Sequence, residues 1–348
     1  MKKFVKFILC IVPFLVLTVH EAHSNDAIKH PPLGLLPPVV IPANNPQTPA
    51  KIELGKKLFF DPRLSGNNWI SCATCHNPTL GFADGLPRML GGPASKEGGR
   101  NTPTIINCAY NELQFWDGRA ATLEEQALGP IQNPNEMNET LDSVVKKLNS
   151  LPEYVGAFKE VFGTDVTANG IAKAIAAFER TIVFANSPFD RYMMGDESAL
   201  SESAMRGMYL FNTKAECIKC HSGPNFTDNN FHNIGVPADG PLKEDLGRYD
   251  VTKNDADKGA FKTPTLRNIT ETAPYMHNGF FPTLFEVVQF YNGGGGRSEN
   301  KSPDIHGLNL TAQEVNDLTE FLKALTGELV HVKYEPMSLG YPNLPDGF

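Results

Sequence analysis

Apolar residues along this chain recur at helical spacing far more often than at strand spacing. Ile171, Ala174, Ile175, Phe178 and Ile182 fall on one face of a helix. Thr311 and Glu314 form a Thr-x-x-Glu capping signal, after which Val315, Leu318, Leu322 and Leu325 continue as a single apolar stripe. Strand-like alternation is scarce, so the pattern predicts a mainly α fold. Two segments stand outside it. The apolar run from Phe7 to Val19 follows Lys2, Lys3 and Lys6 and leads into Ala22-His23-Ser24. It predicts a secretory signal peptide over residues 1–24, cut near Ser24 and Asn25, and it is too short to span a bilayer comfortably. Residues 25–50 are rich in proline and predict an extended arm, not a folded unit.

The pattern also repeats. At an offset of 161, residues 102–130 and 263–291 share Thr-Pro-Thr, then Asn107 with Asn268, Gly118 with Gly279, Thr122-Leu123 with Thr283-Leu284, and Glu125 with Glu286. Each copy therefore opens a short helix with a Thr-x-x-Glu capping box. Farther upstream, Leu58-Phe59 matches Leu210-Phe211 and Phe82-x-Asp84 matches Phe226-x-Asp228. The upstream offset between the cysteine motifs described below is 145, so the second copy carries about sixteen extra residues, assigned to the loop over 236–257. A duplicated helical unit predicts two domains, over 51–195 and 196–335, with 336–348 as a tail.

Charge narrows the partners. The formal charge is -8, and loss of residues 1–24 removes three Lys and one Glu and takes it to -10. An acidic chain without a basic block argues against nucleic acid and against anionic membrane as partners. With no second run of transmembrane length, the mature chain is expected to be exported, most simply to a bacterial periplasm, without membrane insertion.

Five cysteines survive processing, since Cys10 lies in the signal segment. Four occur in Cys72-Ala73-Thr74-Cys75-His76 and Cys217-Ile218-Lys219-Cys220-His221. Each is C-x-x-C-H, the attachment pattern of c-type haem: two thioether bonds from the cysteines, and the adjacent His as iron ligand. Disulfides, a redox dithiol or a structural zinc site are the other uses of such cysteines. A zinc site would need the two pairs brought together. The reading taken is two covalent haem c groups, one per domain, with His76 and His221 as ligands. Cys108, beside Ile105, Ile106 and Ala109, is expected to be a buried, inert thiol.

The repeat then bears on the opposite face of each iron. Eight positions after the capping Thr stand Pro130 in one copy and Tyr291 in the other. Tyr can ligate ferric iron and Pro cannot, so one haem is predicted closed by Tyr291 and the other open beside Pro130. Met276 lies at a spacing that also suits an axial ligand, and spacing alone leaves both open. Met89 and Met137 are the possible closing ligands of the first haem, for no His lies between His76 and His221.

In GKKLFFDPRLS, SCATCHNP, RNTPT, QFWDGRA, EQALGPIQNPNEM, FKTPTLRN and TAPYMHNG, in that order from about Leu54 to Leu325, the chain resembles the bacterial dihaem cytochrome c peroxidases and MauG. The resemblance implies a peroxidase acting on hydrogen peroxide. It favours Tyr291 over Met276, since MauG-like members carry Tyr where the ordinary peroxidases carry Met. The loop before RNTPT lacks the His ligand of members that need reductive activation, which implies an enzyme ready without it. By motif, Trp116 resembles the aromatic bridge between the haems, Glu136 the distal acid-base residue, and Gln126 a member of the same pocket. Asn101, with the backbone oxygens of Thr272 and Pro274, resembles an interdomain calcium site. The implied donor is a small redox protein, a cytochrome c or cupredoxin. A MauG-like enzyme would instead oxidise side chains of a protein substrate, and a non-catalytic dihaem electron carrier is the reading from another class. A homodimer is compatible with all three.

Overall fold

The structure is a computed structural model that describes residues 30–91, 96–97, 99–238 and 245–330. The signal segment, the first arm residues and the C-terminal tail lie outside the described residues. The fold is mainly helical. The α-helices are α1 (Pro49–Phe59), α2 (Cys72–Cys75), α3 (Leu123–Gln132), α4 (Leu141–Asn149), α5 (Pro152–Phe162), α6 (Ala168–Glu179), α7 (Pro188–Met193), α8 (Glu202–Asn212), α9 (Tyr249–Thr252), α10 (Leu284–Asn292) and α11 (Ala312–Lys323). Strands among the described residues are two residues long and pair antiparallel: β1 (Leu90–Gly91) with β2 (Lys96–Glu97), β3 (Phe184–Ala185) with β6 (Glu328–Leu329), and β4 (Phe231–His232) with β5 (Phe261–Lys262).

The helices begin where side chains can satisfy the free N–H groups of a first turn. Thr167 caps α6 through Gly170 N, and Thr311 caps α11 with Glu314 completing the box. Ile182 lies past the end of α6 but keeps its place in the core. Thr122 and Thr283 cap α3 and α10 in the same way. Only α10 closes the reciprocal bond, from Thr283 N to Glu286 Oε2 at 3.1 Å. In α3 the Glu125 carboxylate reaches one residue farther, to Ala121 N at 2.8 Å. The matching residue in the other copy is Pro282, which has no N–H to offer.

Two large apolar clusters and a small one around Leu200, Ala204 and Ala324 form the core of the described residues. Of the large ones, one gathers Leu58, Phe59, Ile175 and Phe178 from α1 and α6; the other gathers Phe211, Phe226, Leu318 and Phe321 around α8 and α11. In each, two helices cross with backbone against backbone. A Cβ added at Gly55 would lie 1.9 Å from Ala174 O, and one at Gly207 2.0 Å from Asp317 O. The aromatic pairs follow suit, with Phe59 and Phe178 centroids 5.2 Å apart and Phe211 and Phe321 centroids 5.3 Å apart.

Residues 30–48 hold no helix or strand, and α1 starts at Pro49. The arm is nonetheless docked along its length. Pro31 O accepts from Gly223 N at 3.0 Å, Gly34 O from Arg267 Nη2 at 3.0 Å, and Pro37 O from Tyr110 Oη at 2.8 Å. Farther on, Asn45 and Gln47 donate to Lys173 O and Ala177 O on α6. Arg267 itself is 1% exposed and binds both oxygens of Asp190 at 3.0 Å.

The glycine crossings give the first prediction. Gly55→Ala and Gly207→Ala are each expected to lower stability by about 1–3 kcal/mol through forced backbone shifts. Gly156→Ala in α5, where a Cβ meets nothing within 4 Å, should leave it unchanged or raise it. Urea midpoints of the three variants check this, and equal midpoints would refute it.

Candidate functional site

The two C-x-x-C-H segments fold alike. In each, the His N–H returns to the first cysteine's carbonyl, His76 N to Cys72 O and His221 N to Cys217 O, both at 2.8 Å. All four cysteines are free thiols. The two motifs do not converge on a point. Among the described residues, the one group of three potential metal-ligating side chains is Cys220, Asp228 and His232, which contains neither motif His. That group is organised as an ion pair, with His232 Nε2 2.8 Å from Asp228 Oδ2, and His232 is pushed up to about 10 by Asp228 and then by Cys220.

The imidazoles are set for ligation. His76 Nδ1 donates to Phe82 O at 3.1 Å and His221 Nδ1 donates to Phe226 O at 3.0 Å. A ring nitrogen bound this way fixes the tautomer and leaves Nε2 with its lone pair for a metal. Phe82 and Phe226 present those carbonyls from left-handed backbone, at φ 52° and 53°, which costs a non-glycine residue energy and is repeated in both copies. Burial lowers the pKa of both rings, that of His221 to about 4, so each is neutral at pH 7 as a ligand must be.

Both motifs open onto one cavity of about 620 Å³ with a mostly apolar wall. Cys75, His76, Gln126, Pro130 and Glu136 line it from the N-terminal copy; Cys217, Cys220, His221, Met276 and Tyr291 line it from the C-terminal copy. Cys72 packs against the first core cluster. An apolar chamber with a neutral imidazole and free thiols at each motif fits a pair of flat, apolar, iron-bearing groups, and its size and donor set do not fit a small structural metal.

Opposite each motif the copies differ. Tyr291, in α10, is half-buried; desolvation of its phenol raises its pKa, and its hydroxyl bonds no described residue. Pro130, in α3, offers no ligand atom. Met276 and its repeat counterpart Phe115 share the same left-handed backbone, at φ 77° and 68°. Met89 reaches the cavity wall, whereas Met137 is buried in the first core cluster and does not line the cavity.

Glu136 is anchored by Asn133, whose Nδ2 donates to Oε1 at 2.6 Å, while Oε2 bonds no described residue. Burial raises its pKa, opposed by Asn133 and by Arg119. Trp116 links the copies: its Nε1 donates to Asn101 O at 2.9 Å and its carbonyl accepts from Lys262 N at 2.8 Å. Asn101, Thr272 and Pro274 line the same cavity, and Asn101 N donates to His277 O at 2.7 Å. Asn101 Nδ2 is committed to Leu86 O at 2.8 Å, which turns its side-chain oxygen to an acceptor role.

Reading from the sequence missed several residues of this wall. Phe115 carries the Arg119 guanidinium 3.5 Å over its ring. Glu179 is buried, pushed up to about 8 by burial, and has one oxygen without a hydrogen-bond partner. Lys262 is a buried cation. The repeat offset was the available signal: it sets Phe115 against Met276 and Asn101 against Lys262.

Comparison with known proteins agrees with this geometry. The profile of the family described as di-haem cytochrome c peroxidase matches residues 49–198. The chain is 42% identical to the cytochrome-c peroxidase IdrP1 of Pseudomonas sp. (strain SCT), over 93% of this chain and 92% of that one. It is likewise 42% identical to the methylamine utilization protein MauG of Methylorubrum extorquens, over 87% and 84%. Among solved structures, a MauG-like protein associated with microbial copper homeostasis superposes with a TM-score of 0.76 at 33% identity, covering 84% of this chain and 94% of that one. The chain belongs to the di-haem cytochrome c peroxidase family, and is thereby a haem oxidoreductase of a family built around two haems.

Proposed function

We propose that the protein is a periplasmic dihaem c-type peroxidase that reduces hydrogen peroxide to water with electrons from a small redox protein, a cytochrome c or a cupredoxin. Cys72 and Cys75 would attach one haem and Cys217 and Cys220 the other, with His76 and His221 as iron ligands, one haem in each of two domains. The observation that carries the reading is the asymmetry of the cavity. Tyr291 lines the wall of the C-terminal copy with a hydroxyl that bonds no described residue, whereas at the repeated positions of the N-terminal copy Pro130 and Phe115 offer no ligand atom.

The haems, when bound, supply the electrons that split the O–O bond. The chain supplies the rest. Peroxide enters on the Pro130 side, where Gln126 and Glu136 line the wall. Glu136 Oε2 takes the proton from one peroxide oxygen and delivers it to the other, which leaves as water; Asn133 holds the carboxylate in place from Oε1. A raised pKa suits this exchange, because a base poised near the working pH can both accept and return the proton. Trp116, bonded to both copies, carries the electron between them. The Tyr291 phenol, neutral in an apolar cavity, gives up its proton only where a cation faces it, which iron would provide. The Asn101 side-chain oxygen with the carbonyls of Thr272 and Pro274 supports a calcium ion beside Trp116, completed by water.

Three outcomes are expected. Cyanide added to the oxidised protein as isolated should bind one haem and leave the other unchanged; binding at neither without prior reduction would refute the open site. Glu136→Gln should keep both haems and lose peroxide turnover by about 10²–10⁴-fold, and a loss below about threefold would remove Glu136 from the reaction. Tyr291→Phe should raise the potential of the second haem and alter its resonance Raman spectrum. If Met276→Leu alters that spectrum and Tyr291→Phe does not, the ligand is Met276.

A further inference from the structure

The cavity wall contains one cation that its neighbours leave without a counter-charge. Arg100 is paired with Asp117 and Asp245, Arg119 with Asp117, Lys219 with Glu216 and Asp304, and His232 with Asp228. Lys262 is 7% exposed and, among the described residues, has no carboxylate within ion-pair distance; the one bond its Nζ makes to a described residue is to Thr263 O at 3.3 Å. Burial pushes it down to about 8, with Asp228 acting weakly in the opposite sense. A buried ammonium of this kind is costly unless an anion reaches it. The chain's own repeat sharpens the point, because the matching position in the N-terminal copy is the neutral Asn101.

We propose that Lys262 is the counter-ion of a propionate carboxylate on the haem attached at Cys217 and Cys220. The inference rests on the reading that the cavity holds haem, whose periphery carries carboxylates into an otherwise apolar chamber. Lys262 belongs to the second motif's surroundings by its local structure. Its strand β5 pairs with β4, Phe231 opposite Lys262, eleven residues beyond Cys220. The next residue is fixed from the same loop, with Thr263 N donating to Asn230 O at 2.9 Å and Thr227 Oγ1 to Thr263 O at 2.7 Å. Lys262 N also donates to the Trp116 carbonyl, which sets Lys262 beside the residue that joins the two copies. Its charge opposes oxidation of the nearby iron, so losing it favours the ferric state.

The test uses the holoprotein and the variants Lys262→Gln, Lys262→Met and Lys262→Arg, with haem content, spectroelectrochemical titration and resonance Raman spectra. Parent protein that carries no haem sinks the underlying reading before any variant is made. Lys262→Gln is expected to keep two haems, to lower the midpoint potential of the haem that does not take cyanide, and to shift a propionate-bending band; Lys262→Arg should retain the parent values. Unchanged potentials and bands in Lys262→Gln, or a shift confined to the cyanide-binding haem, overturns the proposal. If Gln and Met fail to hold haem while Arg holds it at the parent potential, the need for charge is upheld. If Arg fails with them, the position requires the lysine shape and the ion pair is refuted.

Discussion

Two helix crossings in this molecule bring backbone directly against backbone. Where α1 crosses α6 and α8 crosses α11, a glycine leaves no room for even a methyl group, so the distance between the helices is set by main-chain atoms alone. Such a contact cannot be adjusted by exchanging one side chain for another. It fixes where Phe59 and Phe211 stand, and these rings support the two motifs: the Phe59 ring is 6.5 Å from that of His76, and Phe211 lines the cavity itself. The position of each imidazole is therefore tied to a crossing between one helix upstream of its motif and one far downstream.

On that shared frame the two copies keep the same backbone and exchange side chains. Left-handed residues recur in register, Asn107 with Asn268, Gly118 with Gly279 and Phe115 with Met276. Three of the exchanges lie on the cavity wall: Pro130 for Tyr291, Phe115 for Met276 and Asn101 for Lys262. The frame thus lets two sites of different chemistry grow from one local fold.

Much of this was legible in the chain. The helical stripes, the Thr caps and the two C-x-x-C-H motifs depend on residues within a few positions of one another, and local rules read them. The family resemblance covered most of the chain for the same reason, motif by motif. What escaped was set by contacts between distant segments. The unpaired state of Lys262 depends on where every carboxylate ends up, and the orphan oxygen of Glu179 depends on burial. The second half of the α3 capping box failed because the backbone one residue before the cap differs between copies, Ala121 against Pro282. The hydrogen bonds of residues 30–48 to residues some 70 to 230 positions away carry no local signal.

That arm changes how the chain behaves as a polymer. Its carbonyls at Pro31 and Gly34 are held by Gly223 and Arg267 in the second core's surroundings, and its amides at Asn45 and Gln47 are spent on α6 in the first. The arm thus finds its partners among residues synthesised later, and its bonds to Gly223 and Arg267 form only after the second copy has begun. Either core, if it came apart alone, would strip hydrogen bonds from a segment the other still holds. The strap therefore couples the two cores thermodynamically, and links their melting more closely than a surface contact between independent units would.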